Sequence, residues 1–250
     1  MSRLKRKQQK ELVFYKNTVE NQLAMIEGPI KKKWTKHDMK FIQPITESQR
    51  TMCQLFYQGD HILAYGSAGT GKSLIALYLA IADVLDPSKP QNQLVIVRSA
   101  VATRDQGFLP GSLDEKLSVF EGPYHDIFSY LFNRNSTYED MKKAGVIKFV
   151  SSSYIRGLTW DNAMVVVDEV ENFNMHEISS VMTRLGDHSR IILAGDLKQT
   201  DLLKSNRDTT GMHRLIEICN RMPEVSLIEF TQDDIVRSGF VKSWIIASEI

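Results

Sequence analysis

The run HILAYGSAGTGKSLIAL, residues 61–77, constrains this chain more than any other stretch. A short apolar segment enters a loop holding Gly66, Gly69 and Gly71, then Lys72 and Ser73, and an apolar helix-forming run follows. Residues 66–73 fit the pattern GxxxxGK[ST] at every fixed position. Glycines let the backbone curl, so that the N–H groups along Gly66, Ser67, Ala68, Gly69, Thr70 and Gly71 point inward at phosphate oxygens. The N-terminus of the next helix adds its partial positive charge. Lys72 is then placed to reach β- and γ-phosphates, and Ser73 to hold Mg2+. The dinucleotide fingerprint spaces its glycines differently and does not call for a Lys-Ser pair.

Around this loop the apolar pattern predicts strands over 61–65, 94–97, 146–150, 164–167, 191–194 and 225–230. Helices are predicted over 46–57, where TESQ offers a cap, and over 73–85, 175–185, 209–219 and 233–248. Residues 104–145 read as a Gly/Pro-punctuated loop followed by short helices. A polar helix is expected over 1–27, ended by Gly28-Pro29 and followed by a basic linker over 31–40. Strands alternating with helices imply an α/β fold, a mostly parallel sheet covered on both faces, here a RecA-like P-loop core. The division expected is a basic extension over 1–40 and a nucleotide-binding domain over 41–250.

Two later strands end in polar residues, where a parallel sheet places its ligands. MVVVDE, residues 164–169, is an apolar strand closing on two carboxylates. Asp168 can reach Mg2+ through its water shell, and Glu169 can polarise an attacking water. IILAGDLKQTD, residues 191–201, offers Asp196 as a brace for the site and Gln199 as the group that senses a γ-phosphate or holds the lytic water. Upstream, QPITESQ (43–49) supplies amides that can give and take one hydrogen bond each, which matches an adenine edge. Gln49 is the better candidate and Gln43 the second.

Overall charge is +1, but it is unevenly spread. Residues 1–40 hold eleven Lys/Arg against four Asp/Glu, leaving twenty against twenty-six in the remainder. A basic end suits phosphates or acidic surfaces, or is simply a solvated face. Cys53 and Cys219 are the only cysteines and neither has a CxxC partner, so a disulfide or zinc site is not expected and a reducing, cytoplasmic setting is. No apolar run follows the N-terminal Lys and Arg as a signal peptide would require. No window approaches 18 continuous apolar residues, so no membrane partner is expected.

Together these residues resemble the PhoH family of P-loop ATPases, relatives of the superfamily-one helicases. Beyond the P-loop the resemblance rests on GFLPGSLDEK (107–116), YIRGLTWDNAMVVVDEVEN (154–172), TRLGDHSRIILAGDLKQTDL (183–202), Gly211 and DDIVRSGFV (233–241), and covers about residues 43–245. Departures are specific. The family's D-E-A-Q-N is Asp168-Glu169-Val170-Glu171-Asn172 here, and its R-G-R-T is Arg156-Gly157-Leu158-Thr159. The resemblance implies ATP binding and hydrolysis with Mg2+, action on RNA or single-stranded DNA, and a homo-oligomeric ring of six subunits.

One P-loop core leaves the nucleotide at an open edge, so an arginine from a neighbouring subunit is the expected supplier of transition-state charge. Arg237 in DDIVRSGF is the first candidate for this catalytic role, expected to act across a subunit interface. Arg184 and Arg156 are rivals within the same subunit, and an ion pair of Arg237 with Asp233 or Asp234 is the plainer alternative. Nucleic acid is expected over 98–112, at Arg98 and Arg104, and along the basic N-terminal segment. Two other functions stay open: a small-molecule kinase, and a non-catalytic nucleotide switch or scaffold.

Overall fold

Six apolar runs become strands: β1 (His61–Gly66), β2 (Gln93–Arg98), β3 (Ile147–Ser151), β4 (Ala163–Asp168), β5 (Arg190–Asp196) and β6 (Val225–Phe230). The computed structural model describes residues 34–99, 118–155, 157, 159–197 and 211–249. The strands form one sheet in the order β3-β2-β4-β5-β1-β6, and every pairing is parallel. Strand β5 therefore stands between the glycine-loop strand β1 and the acidic strand β4, the arrangement of a RecA-like core.

Period-two alternation gives each strand two apolar faces. Ile62, Ala64, Leu94, Ile96, Met164 and Val166 join one core layer, and Leu63, Val95, Val97, Val165 and Val167 the other. The first layer is covered by α1 (Glu47–Gln58), α2 (Lys72–Val84), α3 (Gly122–Phe132) and α4 (Thr137–Lys143). The second is covered by α5 (Met175–Met182) and α6 (Gly211–Cys219). Helix α2 is apolar nearly all round because it is enclosed: Ile75, Ala76, Leu77, Leu79, Ala80 and Ile81 are all buried. Each large side chain buried this way contributes about 1.5–3 kcal/mol. The compact unit begins at Trp34, which is buried in the first layer, and Lys36 pairs with Asp86 at 2.6 Å. Both cysteines are free. Among the described residues no helix is long and apolar enough to cross a membrane.

Two predicted helices are shorter than their patterns suggest. The run over 175–185 ends at Met182, because the chain beyond it is drawn off to pair with Trp160: Trp160 N–H donates to Arg184 O at 2.9 Å, and Trp160 and Leu185 form a parallel bridge. The closing helix predicted over 233–248 is broken. A 3-10 turn spans Gln232–Asp234, residues 235–238 leave the helix, and α7 runs over Gly239–Ser248. Local capping and a long-range bond win over helical pattern there. Asp234 accepts from Thr231 N–H at 2.9 Å and from Ser48 Oγ at 2.8 Å, and Val236 N–H donates to Gly69 O at 3.1 Å. The helix expected over 1–27, the linker up to Lys33, Arg104, the motif over 107–116, Arg156 and Gln199 lie outside the described residues.

Candidate functional site

All-parallel pairing puts the carboxyl ends of the strands on one edge. Register then sets which residues meet: Gly66 of β1 lies level with Asp196 of β5, and Arg98 of β2 lies level with Asp168 of β4. The glycine loop leaves the sheet at Gly66, whose φ of +128° suits glycine alone. A Cβ there would stand 2.0 Å from Phe230 O. Ser67 N–H donates to that same carbonyl at 2.8 Å, so the loop is tied to β6 as it begins. It ends at Gly71, a left-handed N-cap with no side-chain cap hydrogen bond for α2. The opening N–H groups of a 13-residue helix are thus left without a side-chain acceptor, on the edge where β1, β4 and β5 end.

Lys72 is 6% exposed and lies back along the loop. Its Nζ donates to Ser67 O at 2.5 Å and Thr70 Oγ1 at 3.2 Å, and pairs with Asp196 Oδ1 at 2.7 Å. Asp196 therefore braces the lysine, as its position in the sequence suggests. Ser73 Oγ donates to Asp168 Oδ1 at 2.6 Å, joining the helix start to the end of β4. The other carboxylate oxygen, Oδ2, accepts from Tyr124 OH at 3.0 Å. Burial first, and the Asp168 charge second, hold the Tyr124 phenol well above its usual pKa, so it stays a donor. Ser73 Oγ and Asp168 present adjacent hard oxygens beside a loop built for phosphate, the donor chemistry of a Mg2+ that keeps several waters. Among the described residues no group of three or more His, Cys, Asp or Glu gathers as a metal cluster.

Glu169 follows Asp168 with φ 53° and ψ 47°, a left-handed conformation that costs a non-glycine residue on the order of 1–2 kcal/mol. The bend directs its carboxylate to Arg98. Arg98 Nε donates to Glu169 Oε2 at 3.0 Å, Nη2 donates to Oε1, and Nη1 donates to Phe120 O at 3.1 Å. Burial, the largest single influence, works against the Arg98 charge, but the Glu169 hydrogen bonds and the surrounding Tyr124, Glu169 and Asp168 together outweigh it and raise its pKa. Two residues on, Glu171 is 5% exposed and accepts from Asp196 N–H at 3.0 Å. Burial, and then the neighbouring Asp196 carboxylate, push its pKa up to about 8. At neutral pH Glu171 thus carries a proton. It presents one donor and one acceptor, much as the glutamine it replaces in the sequence pattern would.

Lys72, Ser73, Arg98, Asp168, Glu169, Glu171, Asp196 and Arg237 all line a single cleft of about 1230 Å3. Arg237 is on the loop that breaks the closing helix, not on a helix. Its Cγ stands 2.9 Å from where a Cβ on Gly69 would lie. Arg237 therefore flanks the glycine loop of its own chain. The ion-pair alternative fails for Asp234, whose carboxylate is taken by Thr231 and Ser48. Among the described residues Arg237 forms no ion pair. Arg184, the other described rival, does not line the cleft.

Gln49 lies beside the glycine loop. It is 4% exposed, its Oε1 accepts from Ile45 N–H at 2.9 Å, and its Nε2 donates to Thr70 O at 2.9 Å. These two bonds tie α1 to the glycine loop and leave the amide a second N–H and a second lone pair. Gln43 is exposed. Sequence reasoning missed Tyr124 and the Arg98–Glu169 pair altogether. Tyr124 is one tyrosine in an amphipathic helix, with no local signal. Arg98 and Glu169 are 71 residues apart and are brought together by β2–β4 pairing.

An all-parallel α/β core with a glycine loop after β1 and carboxylates after β4 and β5 is a P-loop core of RecA-like type. A family model described as "PhoH-like protein" matches residues 41–249. The chain belongs to the PhoH-like family. It is 32% identical over 211 residues to a PhoH-like protein of Synechocystis, covering 84% of this chain and 63% of that one. With a PhoH-like protein of Bacillus subtilis it shares 32% identity over 225 residues, covering 88% and 68%. The protein PhoH of Escherichia coli matches at 28% over 180 residues, covering 71% and 50%. The chain thus spans about half to two thirds of these relatives' length. Among solved structures, the Pif1 helicase of Candida albicans aligns at a TM-score of 0.39 with 14% identity, covering 81% of this chain and 43% of that one.

Proposed function

We propose that this protein is a Mg2+-dependent ATPase that couples turnover to RNA or single-stranded nucleic acid. The observation that carries the reading is the Ser73–Asp168 pair at the uncapped start of α2, in one cleft with Lys72 and Glu169. Loop N–H groups and Lys72 bind the triphosphate. For this Lys72 leaves Ser67 O and Asp196 and turns to the β- and γ-oxygens, where a full negative charge replaces a carbonyl and a shared carboxylate. Ser73 and Asp168 would hold Mg2+, which would supply neutralisation of the triphosphate's negative charge. Tyr124 fixes the Asp168 carboxylate from behind. Glu169 takes the proton of a water whose oxygen bonds to the γ-phosphorus as the bond to the bridging oxygen breaks, releasing ADP and phosphate. Arg237, which stands beside the glycine loop, is assigned to supplying charge to the γ-phosphoryl group as it transfers, across a subunit interface of the ring. Gln199 is assigned to sensing the γ-phosphate.

In this reading residues 1–40 are a basic extension that contacts a phosphate backbone, and 41–250 are the ATPase domain. The active form is a homo-oligomeric ring, cytoplasmic and without a membrane partner. The test is phosphate release with Mg2+ and ATP, alone and with single-stranded RNA, single-stranded DNA or duplex. Release that rises with a single strand supports the reading. Phosphate transferred to a small-molecule acceptor instead would make it a kinase. Tight ATP binding with no turnover under any condition would make it a switch.

A further inference from the structure

The base assigned to hydrolysis is not free. Glu169 has both carboxylate oxygens engaged by Arg98 in a side-on fork, and Asn172 Nδ2 approaches Oε2 at 3.4 Å. A general base must turn an oxygen to the water it deprotonates. A forked arginine fixes the plane and direction of the carboxylate instead. The geometry is not a loose surface pairing: the Arg98 side chain is 15% exposed, its third nitrogen is held by Phe120 O, and Glu169 sits in a backbone conformation that L-residues rarely adopt.

Arg98 is also the residue of this pair nearest a second, unused polar group. Ser99 is buried, lines the same cleft, and its Oγ has no hydrogen-bond partner among the described residues. The cleft continues past Arg98 along Phe120, Pro123, Ile127 and Tyr130. Tyr130 is half exposed, with Lys40 Nζ 4.0 Å from its ring centroid. A guanidinium and exposed aromatic surface in one groove are the groups that hold a single-stranded backbone and stack its bases.

We propose that Arg98 is a latch on Glu169: closed, it holds the base away from the attacking water, and a backbone phosphate of a single strand opens it by taking over the guanidinium. The exchange replaces one forked anion with another, so Arg98 keeps its hydrogen bonds while Glu169 gains its freedom. Strand binding and ATP hydrolysis are thereby coupled through one side chain at the β2–β4 register. The inference rests on the ATPase reading above and on Glu169 as its base.

The test is phosphate release by the wild type, Arg98→Ala, Arg98→Lys and Glu169→Gln, each with and without a single-stranded oligonucleotide, with Tm measured for each to confirm folding. Arg98→Ala should turn over at least about 5-fold faster than the wild type without strand, and strand should raise it no more than about 2-fold. Arg98→Lys keeps the charge but loses the fork, so its strand-free rate should also rise while oligonucleotide affinity stays within about 3-fold. If the opening phosphate is the γ-phosphate of ATP, the wild type will already run at the Arg98→Ala rate without strand. Folded Arg98→Ala and Arg98→Lys that are both slower than the wild type overturn the latch, provided Glu169→Gln is inactive. An active Glu169→Gln, or a wild type without turnover, overturns the ATPase mechanism itself and the latch with it.

Discussion

Replacing Glu171 by Gln tests whether a buried proton is part of the site. Glu171 is enclosed, accepts from Asp196 N–H at 3.0 Å, and has its pKa raised from 4.5 to about 8 by burial and by Asp196. Glu169, on the same turn, also pushes its pKa up, and Lys72 pairs with Asp196. Because its folded pKa is raised, the native chain holds a proton where the unfolded chain has lost it. Stability is therefore highest toward the acid side and falls as pH rises from about 4.5 to about 8, beyond which both states are ionised. At about 1.4 kcal/mol per pH unit inside that window, the wild type should lose about 2 kcal/mol between roughly pH 6 and pH 8 through this group. For a unit of this size that is on the order of 4–8 °C in Tm. Glu171→Gln keeps the acceptor for Asp196 N–H and does not titrate, so its Tm should lack this component. Thermal unfolding of both proteins across that pH range reads the difference directly. Parallel Tm curves for the two would refute the buried proton.

Other perturbations probe neighbouring parts of the cleft. Gly66→Ala forces a Cβ to 2.0 Å from Phe230 O and a strained φ, so it should cost more than about 2 kcal/mol and abolish nucleotide binding; a wild-type Tm by calorimetry would contradict the local geometry. Lys72→Ala removes the lysine of the phosphate loop and should weaken ATP binding by at least about 10-fold in a fluorescent-nucleotide titration. Tyr124→Phe removes the donor to Asp168 Oδ2, and should raise the Mg2+ concentration for half-maximal turnover several-fold with ATP affinity little changed.

Local signals and long-range contacts were unequally legible in the sequence. The strands, α1 with its Thr46 cap and the enclosed α2 follow from patterns a dozen residues long, and all appear within a residue or two of expectation. The glycine loop with Ser73 was readable from its fixed spacing between strand and helix, and Asp168 and Asp196 because each closes an apolar strand. What failed depends on contacts between distant segments. The closing helix breaks where Val236 bonds to Gly69, across 167 residues of sequence. The bonds of Gln49 to Thr70 and Ile45 are likewise something that spacing alone cannot reveal. The raised pKa of Glu171 needs both burial and the approach of Asp196, although Glu in place of Gln in the acidic motif was a visible hint.

The central claim, that Glu169 is the base of an ATPase built on this cleft, is tested most directly by Glu169→Gln. Removing charge while keeping shape should leave Mg2+-dependent ATP binding within about 3-fold of the wild type, and should lower phosphate release by at least about 100-fold. Both are read on one preparation, by nucleotide titration and by a phosphate-release assay at saturating ATP and single strand. Release by Glu169→Gln at the wild-type rate would contradict the account.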